Sequence, residues 1–310
     1  MVGTMQTAWY LVKLGISLLG GALFARLVGR QRFKKSASVI GDSVLYLLLL
    51  LMGVNTAQIP NITGQIAQMG LDALLATLFV MVGSIVMAGL LSLAVSRRAS
   101  HTVRVRQKIS WERLKTPFIM IGTVVVGFLI GFFTPIFDWF SSEMINPVLY
   151  LLLFVVGMQM VQNEVNLFPL LKSPMMLLLP LSTILGTYLG ALAIPLVTSY
   201  TLREGFALVS GFGWYSLSGV LISGMGMPHL GAVSFLSNLF RETLSFILIP
   251  LLATFSHFTY SAVSIAGATS MDVTLPLLKK SLGETIVPLA ITHGVLMTLV
   301  APLLIPLWLK

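Results

Sequence analysis

The 310-residue chain is 56% apolar and only 9% charged, with a formal net charge of +9. A soluble domain has about a quarter of its residues charged, so this composition excludes a water-soluble surface. It predicts an all-α polytopic membrane protein, because each span needs about 20 apolar residues in a helix that satisfies its own backbone groups. The chain has no cysteine, which excludes disulfides, thiolate metal sites and cysteine nucleophiles.

Ten apolar runs follow one another along the chain and predict eight to ten membrane helices. The first run lacks the basic start and small-residue cleavage site of a signal peptide, so we interpret it as the first membrane helix. The whole chain, 1–310, is predicted to form one transmembrane domain. The runs cover about 7–29, 38–57, 69–96, 117–138, 145–162, 174–200, 205–227, 230–255, 260–278 and 284–309.

Basic residues cluster between alternate apolar runs, which predicts the orientation of the chain. Fifteen of the nineteen Lys and Arg residues fall at 26–35, 97–115, 172 and 279–280. By the positive-inside rule these segments are cytoplasmic, and both termini face outward. Orientation already explains the basic segment 97–115, so no nucleic-acid partner is predicted. The predicted partner is the lipid bilayer.

The second and fifth apolar runs share a sequence, which indicates an internal repeat. VLYLLL at 44–49 recurs at 148–153, and Gly53 recurs as Gly157. Each copy holds about three helices, in units of about 7–96 and 117–200, and a further region follows at about 205–309. An odd number of helices inverts the second copy, as in alternating-access carriers. The alternative is chance similarity between leucine-rich helices.

Two late segments, 210–219 (SGFGWYSLSG) and 267–276 (GATSMDVTLP), combine small, polar and helix-breaking residues. Glycine and proline destabilise a helix interior, so these segments predict two broken or re-entrant helices. Unwound backbone at membrane depth lies within protein or beside a wet cavity, where substrates and ions bind. The alternative is close packing of small residues between helices.

Asp272 is the strongest candidate for a functional group. A carboxylate within a span costs several kcal/mol unless it is protonated, paired or hydrated. An acid in such a place can exchange a proton and, in alternation, bind a cationic substrate. We therefore expect Asp272 to bind either a proton or an ammonium group.

Other polar residues within the apolar runs are candidate substrate- or ion-binding residues. Arg241 adjoins Glu242, with Asn238 on the face of Arg241, and a structural ion pair is the alternative. Asn55 and Gln159 occupy equivalent positions in the two repeat copies and are expected at a matching depth. The remaining candidates are Trp214, Tyr215, Ser216, Ser218, Thr269, Ser270, Asp42 and His293. For Asp42 the alternative is a helix-end role, and for His293 it is a packed, hydrogen-bonded role.

Other chemistries are disfavoured by the sequence. There is no glycine-rich phosphate loop, which argues against ATP-driven transport. The four histidines do not show the i, i+4 spacing that binds zinc on a helix, and no metal or cofactor is predicted. Ser216, Asp272 and His293 could form a hydrolytic triad, but no nucleophile-elbow pattern surrounds the serine.

The two glycine-rich segments resemble the signature segments of the bacterial lysine exporter family. Two dipeptides, at 241–242 and 293–294, fall where that family carries the same pairs, and the helix ends at 52–53 and 156–157 also match. The resemblance implies export of L-lysine and analogues such as thialysine, with intramembrane acids acting in proton antiport. Family members often carry a second acid in the second helix, where this chain has Asn55. The family is distantly similar to cation/proton antiporters and bile-acid symporters, which implies crossing broken helices.

These observations predict a transport mechanism and leave two rival functions open. Asp272 would bind the ε-ammonium of lysine or a proton in competition, and the polar groups of the broken segments would receive the amino-acid head. Arg241 and Glu242 would complete or orient the cavity. One rival is a sodium- or proton-coupled carrier of another small organic ion, such as an imported anion. The other is a channel or scaffold without turnover. The oligomeric state is left open, a homodimer included.

Overall fold

The computed structural model describes residues 2–29, 33–95, 115–137, 139–162 and 173–309, and this described part contains helices and no strand. Seven helical segments are long and apolar enough to cross a membrane, and a shorter apolar helix covers Phe118–Phe133. Many leucines on their outer faces are exposed, as a lipid-facing surface requires. The predicted polytopic all-α class is confirmed. The basic segment 97–113 and Lys172 lie outside the described residues.

The helices follow the ten predicted runs, with the sixth, seventh and ninth runs each divided in two. The bounds are α1 Val2–Val28, α2 Lys34–Ala57, α3 Ile62–Val95, α4 Lys115–Phe133, α5 Ile145–Gln162, α6 Met175–Ala191, α7 Ile194–Val197, α8 Leu202–Val209, α9 Tyr215–Gly224, α10 Pro228–Leu252, α11 Thr259–Ala266, α12 Leu275–Leu282 and α13 Val287–Trp308. Short 3-10 turns cover Pro135–Phe137, Ser142–Met144, Ser256–Phe258, Gly267–Met271 and Glu284–Ile286.

The first six long helices pack in pairs, α1 on α5, α2 on α4 and α3 on α6. Glycines allow direct backbone contact at each crossing, because a Cβ there would overlap a carbonyl group of the facing helix. The glycine–carbonyl pairs are Gly21 with Phe154, Gly157 with Leu18, Gly53 with Val124, Gly127 with Leu50, and Gly83 with Gly186. The crossings are therefore fixed by backbone shape.

Two helix interruptions meet in the second half of the chain. The first separates α8 from α9, where Phe212 and Gly213 have φ of 48° and 92°. The second separates α11 from α12 and begins at Gly267, with φ of 60°. The Ala268 N–H donates to the Phe212 carbonyl at 2.8 Å. Both interruptions lie in the segments for which the sequence predicts unwinding, and they contact each other.

α10 and α13 support this meeting point from two sides. α10 packs along α9 and α11, and α13 packs over the second interruption. A Cβ on Gly294 of α13 would lie 2.6 Å from the Met271 nitrogen, so only glycine allows α13 to approach the unwound turn this closely. The interruptions are thus held between two continuous helices.

Candidate functional site

A cavity of about 240 Å³ lies beside the two interruptions, at the end of the bundle where α2 begins and α5 ends. We name it the acidic cavity, because three carboxylates line it. It brings together eight of the predicted residues, which come from α2, α5, α9, α10 and the interruptions. These residues are Asp42, Gln159, Trp214, Tyr215, Ser216, Glu242, Thr269 and Asp272.

Glu242 reaches the acidic cavity from α10 and is 2% exposed. Its Oε1 has no hydrogen-bond partner among the described residues. Burial of an unpaired polar atom is costly, and a native protein retains such an atom where it serves a ligand, a proton or a conformational change. Glu242 is therefore available to bind a proton or a cation from the cavity.

Asp272 follows the 3-10 turn, where the backbone has left helical geometry with φ of −139° and ψ of −84°. Its carboxylate accepts the N–H of Val273, and the residue is exposed towards the acidic cavity. The turn is closed behind it by Thr274, whose hydroxyl donates to the Thr269 carbonyl at 2.9 Å. The interruption thus presents the Asp272 carboxylate at one wall of the cavity.

Arg241 points away from Glu242 and does not line the acidic cavity. It is 1% exposed, and its guanidinium donates to the carbonyls of Ser264 and Ile265, each at 3.1 Å. Those carbonyls end α11, where the helix dipole is negative. The arginine therefore stabilises the end of the broken helix. Within the described part of the chain, no salt bridge joins Glu242 or Asp272 to a basic residue.

Asn238 also serves the first interruption from α10 rather than lining the cavity. Its Oδ1 accepts the Gly213 N–H at 2.8 Å, and its Nδ2 donates to the Leu208 carbonyl at 3.1 Å and to Ser218 Oγ at 3.2 Å. These bonds satisfy backbone groups that the interruption leaves open. Asn238 and Ser218 thus fix the shape of the turn that carries Trp214 and Tyr215.

His293 lies in a hydrogen-bonded network behind the second interruption and is fully buried. Its Nε2 is 2.8 Å from Thr183 Oγ1, and its Nδ1 is 3.0 Å from Ser270 Oγ. Both ring nitrogens are therefore occupied by hydroxyl groups. Asn55 is also absent from the acidic cavity; it lies near the opposite end of α2.

Two polar residues that the sequence reasoning passed over have notable positions. Thr298 of α13 lines the acidic cavity, is 3% exposed, and has a hydroxyl without a partner among the described residues. Asp72 of α3 is equally buried and accepts from Gln68 Nε2 at 2.7 Å. Asp72 could have been found as an acid within the third apolar run. A lone threonine in an apolar helix gives no such signal.

This arrangement is that of a multi-pass membrane transporter: apolar helices surround a cavity with unpaired acids, beside crossing interruptions of the kind that bind substrates and ions in carriers. The family model for "Lysine exporter LysO" matches residues 16–121 and 121–309. The chain belongs to this lysine exporter family.

Two relatives illustrate the similarity. The lysine exporter LysO of Escherichia coli K12 is 32% identical over 269 residues, which cover 84% of this chain and 87% of the relative. A putative lysine exporter of Haemophilus influenzae Rd is 35% identical over 188 residues, which cover 60% of this chain and 94% of that protein. No solved structure matches the chain.

Proposed function

We propose that this protein exports L-lysine, and analogues such as thialysine, across the bacterial inner membrane in exchange for protons. The observation that carries the proposal is the pair Glu242 and Asp272, which face one cavity without a basic partner in the described part of the chain. Two carboxylates favour a cationic substrate. Lysine carries two ammonium groups and one carboxylate, so it is a net cation. The family membership and the two relatives support lysine as that cation.

The acidic cavity offers a complementary group for each end of lysine. Glu242 and Asp272 would receive the ε-ammonium. α9 begins at Tyr215 beside the cavity, and the free N–H groups of a helix start attract a carboxylate. The hydroxyls of Ser216 and Thr298 add hydrogen bonds. A volume of about 240 Å³ equals about eight waters of liquid, at about 30 Å³ each, which is of the order of one amino acid.

Coupling follows from competition for the same carboxylates. Lysine binding from the cytoplasm displaces protons from Glu242 and Asp272, and proton binding from outside displaces lysine. An ionised Glu242, buried and without a partner for its Oε1 among the described residues, is unfavourable when the cavity is empty, which disfavours the return of the carrier without a proton or a substrate. Each outward movement of lysine is thereby linked to inward proton movement.

The glycine crossings support an inverted repeat of α1–α3 and α4–α6. Exchange of the two units turns the α1–α5 contact into the α4–α2 contact and leaves α3–α6 unchanged. The glycines obey the same exchange: Gly157 against Leu18 corresponds to Gly53 against Val124, and the other pairs follow. We assign the chain on this basis to the inverted-repeat carriers related to cation/proton antiporters and bile-acid symporters.

We propose, from the positive-inside rule, that the acidic cavity lies on the cytoplasmic side and that both termini lie outside. Asp42 and Gln159 line the cavity near the helix ends that adjoin the basic segments. The conformation is then inward-open, ready to bind cytoplasmic lysine.

Proteoliposome counterflow of radiolabelled lysine under an imposed pH gradient tests the proposal. Wild-type protein should accumulate label, and Asp272→Asn and Glu242→Gln should lower the rate at least about a hundredfold, since each removes a charge at the binding site. Glu284→Gln is the matched control, because Glu284 is an exposed acid paired with Lys279. Normal transport by the Asp272 and Glu242 variants would reject the coupling role, and sodium dependence with indifference to lysine would favour the rival carrier.

A further inference from the structure

A second cavity of about 600 Å³ lies at the opposite end of α2 from the acidic cavity. It is bounded by the end of α2, the turn before α5, the segment between α7 and α8, and the start of α10. Its polar lining includes Asn55, Gln58, Ser142, Tyr200, Glu204 and His229. Asn55 is thirteen residues beyond Asp42 on α2, which is a rise of about 20 Å. The two cavities are therefore separate.

A contact between buried side chains lies between the two cavities. Met52 and Phe235 are 1% and 2% exposed, and both meet Gly219 at the middle of α9. The Phe235 ring also packs edge-on against Tyr215, with 5.5 Å between ring centroids. Tyr215 lines the acidic cavity, so this contact is its floor. The second cavity lies beyond this floor, where residues 226–227 follow the end of α9.

Asn55 carries an unfilled hydrogen-bonding position in the second cavity. The residue is 3% exposed, and its Oδ1 accepts from Ser142 Oγ at 2.9 Å. Its Nδ2 has no partner among the described residues. One polar atom of the amide is thus fixed by the protein, and the other is a buried donor at a cavity wall. Such a donor is complementary to a carboxylate.

The second cavity also has a negative side. Both hydrogen bonds that Thr201 gives to Glu204 reach the same oxygen, Oε2. Oε1 takes no part in this cap of α8. Burial, and then the negative charges of Asp72 and Glu204, raise the pKa of Tyr200 far above its usual value. The Tyr200 hydroxyl, 3.2 Å from His229 Nδ1, therefore stays protonated and adds no negative charge of its own.

From these contacts we propose that the second cavity is an exit site that binds the amino-acid head of the exported molecule. Asn55 Nδ2 donates to the α-carboxylate, and the negative side of the cavity with Glu204 attracts the ammonium groups. The inference rests on the proposed export function and extends it to a second subsite. Its consequence is that external amino acid occupies this site and exchanges with internal substrate.

Asn55→Asp tests the site because it keeps the shape of the side chain and replaces the donor with a negative charge. Right-side-out vesicles loaded with labelled lysine are diluted into increasing external unlabelled lysine, and exchange efflux is measured. The external concentration for half-maximal exchange should rise about tenfold or more, since a charge-assisted hydrogen bond becomes a repulsion. Asn55→Ser, which removes the amide without adding charge, should give a smaller rise and remains informative if the aspartate variant does not fold.

Asn61→Asp provides the control, because Asn61 is exposed and does not line the second cavity, so the same amide-to-acid change is made outside the proposed site. It should leave the half-maximal concentration within about twofold. An unchanged or tighter value for Asn55→Asp would overturn the exit site, with the export function intact if wild-type exchange proceeds. Absence of lysine exchange by wild-type protein would overturn both.

Discussion

Replacement of Gly267 by alanine tests whether the crossing of the two interruptions shapes the transport site. A Cβ on Gly267 would lie 2.8 Å from the Phe212 carbonyl carbon and overlap its oxygen, whereas ordinary contact begins at about 3.4 Å. The crossing would have to open by at least about 0.6 Å. Its backbone conformation, with φ of 60° and ψ of −131°, is also one that only glycine adopts readily. Strain of this kind costs about 1–3 kcal/mol before the overlap is counted.

The expected result is a lower thermal midpoint in detergent and a lysine counterflow rate reduced at least about tenfold, because the Ala268–Phe212 hydrogen bond holds both interruptions in register. The assay is fluorescence-detected size exclusion after heating, followed by counterflow of the intact fraction. Gly122→Ala is the control, since a Cβ there meets nothing and a helical alanine is favoured over glycine by about 0.5–1 kcal/mol. Equal behaviour of the two variants would refute the reasoning.

Three further predictions follow from the site. Arg241→Lys loses the forked contact with the α11 carbonyls and should cost about 2 kcal/mol of stability, read as a lower thermal midpoint; lost transport at an unchanged midpoint would instead place the guanidinium at the substrate. His293→Ala should cost about 2–4 kcal/mol without shifting the pH profile of initial transport rates, and a shifted profile would reveal a proton relay. Thr298→Val removes an unpartnered hydroxyl with little change in shape and should raise the KM for lysine about threefold to tenfold at constant stability, whereas an unchanged KM would exclude this contact.

The helix interruptions could be predicted from sequence because their cause is local. Glycine-rich and polar residues within an apolar run oppose a continuous helix wherever it is packed. The same segments supply most of the predicted residues that line the acidic cavity, including Asp272 and Thr269. Local chemistry therefore sufficed to find this wall of the site.

The directions of neighbouring side chains on α10 could not be predicted in this way. Arg241 and Glu242 are adjacent in sequence, and adjacent helical residues point about 100° apart. Which of them faces the cavity depends on how α10 packs against α11 and the interruptions. Asn238 and His293 were similarly ambiguous, because a buried polar residue in a helix can serve either a ligand or a neighbouring backbone. Only the three-dimensional contacts separate these roles.

Asn55 and Gln159 extend the meaning of the proposed repeat. The sequence places them at equivalent positions, and the structure places Gln159 at the acidic cavity and Asn55 at the second cavity, on opposite sides of the buried contact at Gly219. If the repeat is inverted as proposed, each of its two units contributes one side-chain amide to one of the two cavities. If each unit adopted the conformation of the other, access from the acidic cavity would close and access from the second cavity would open. The outward-facing conformation would then use the same helix packing as the inward-facing conformation.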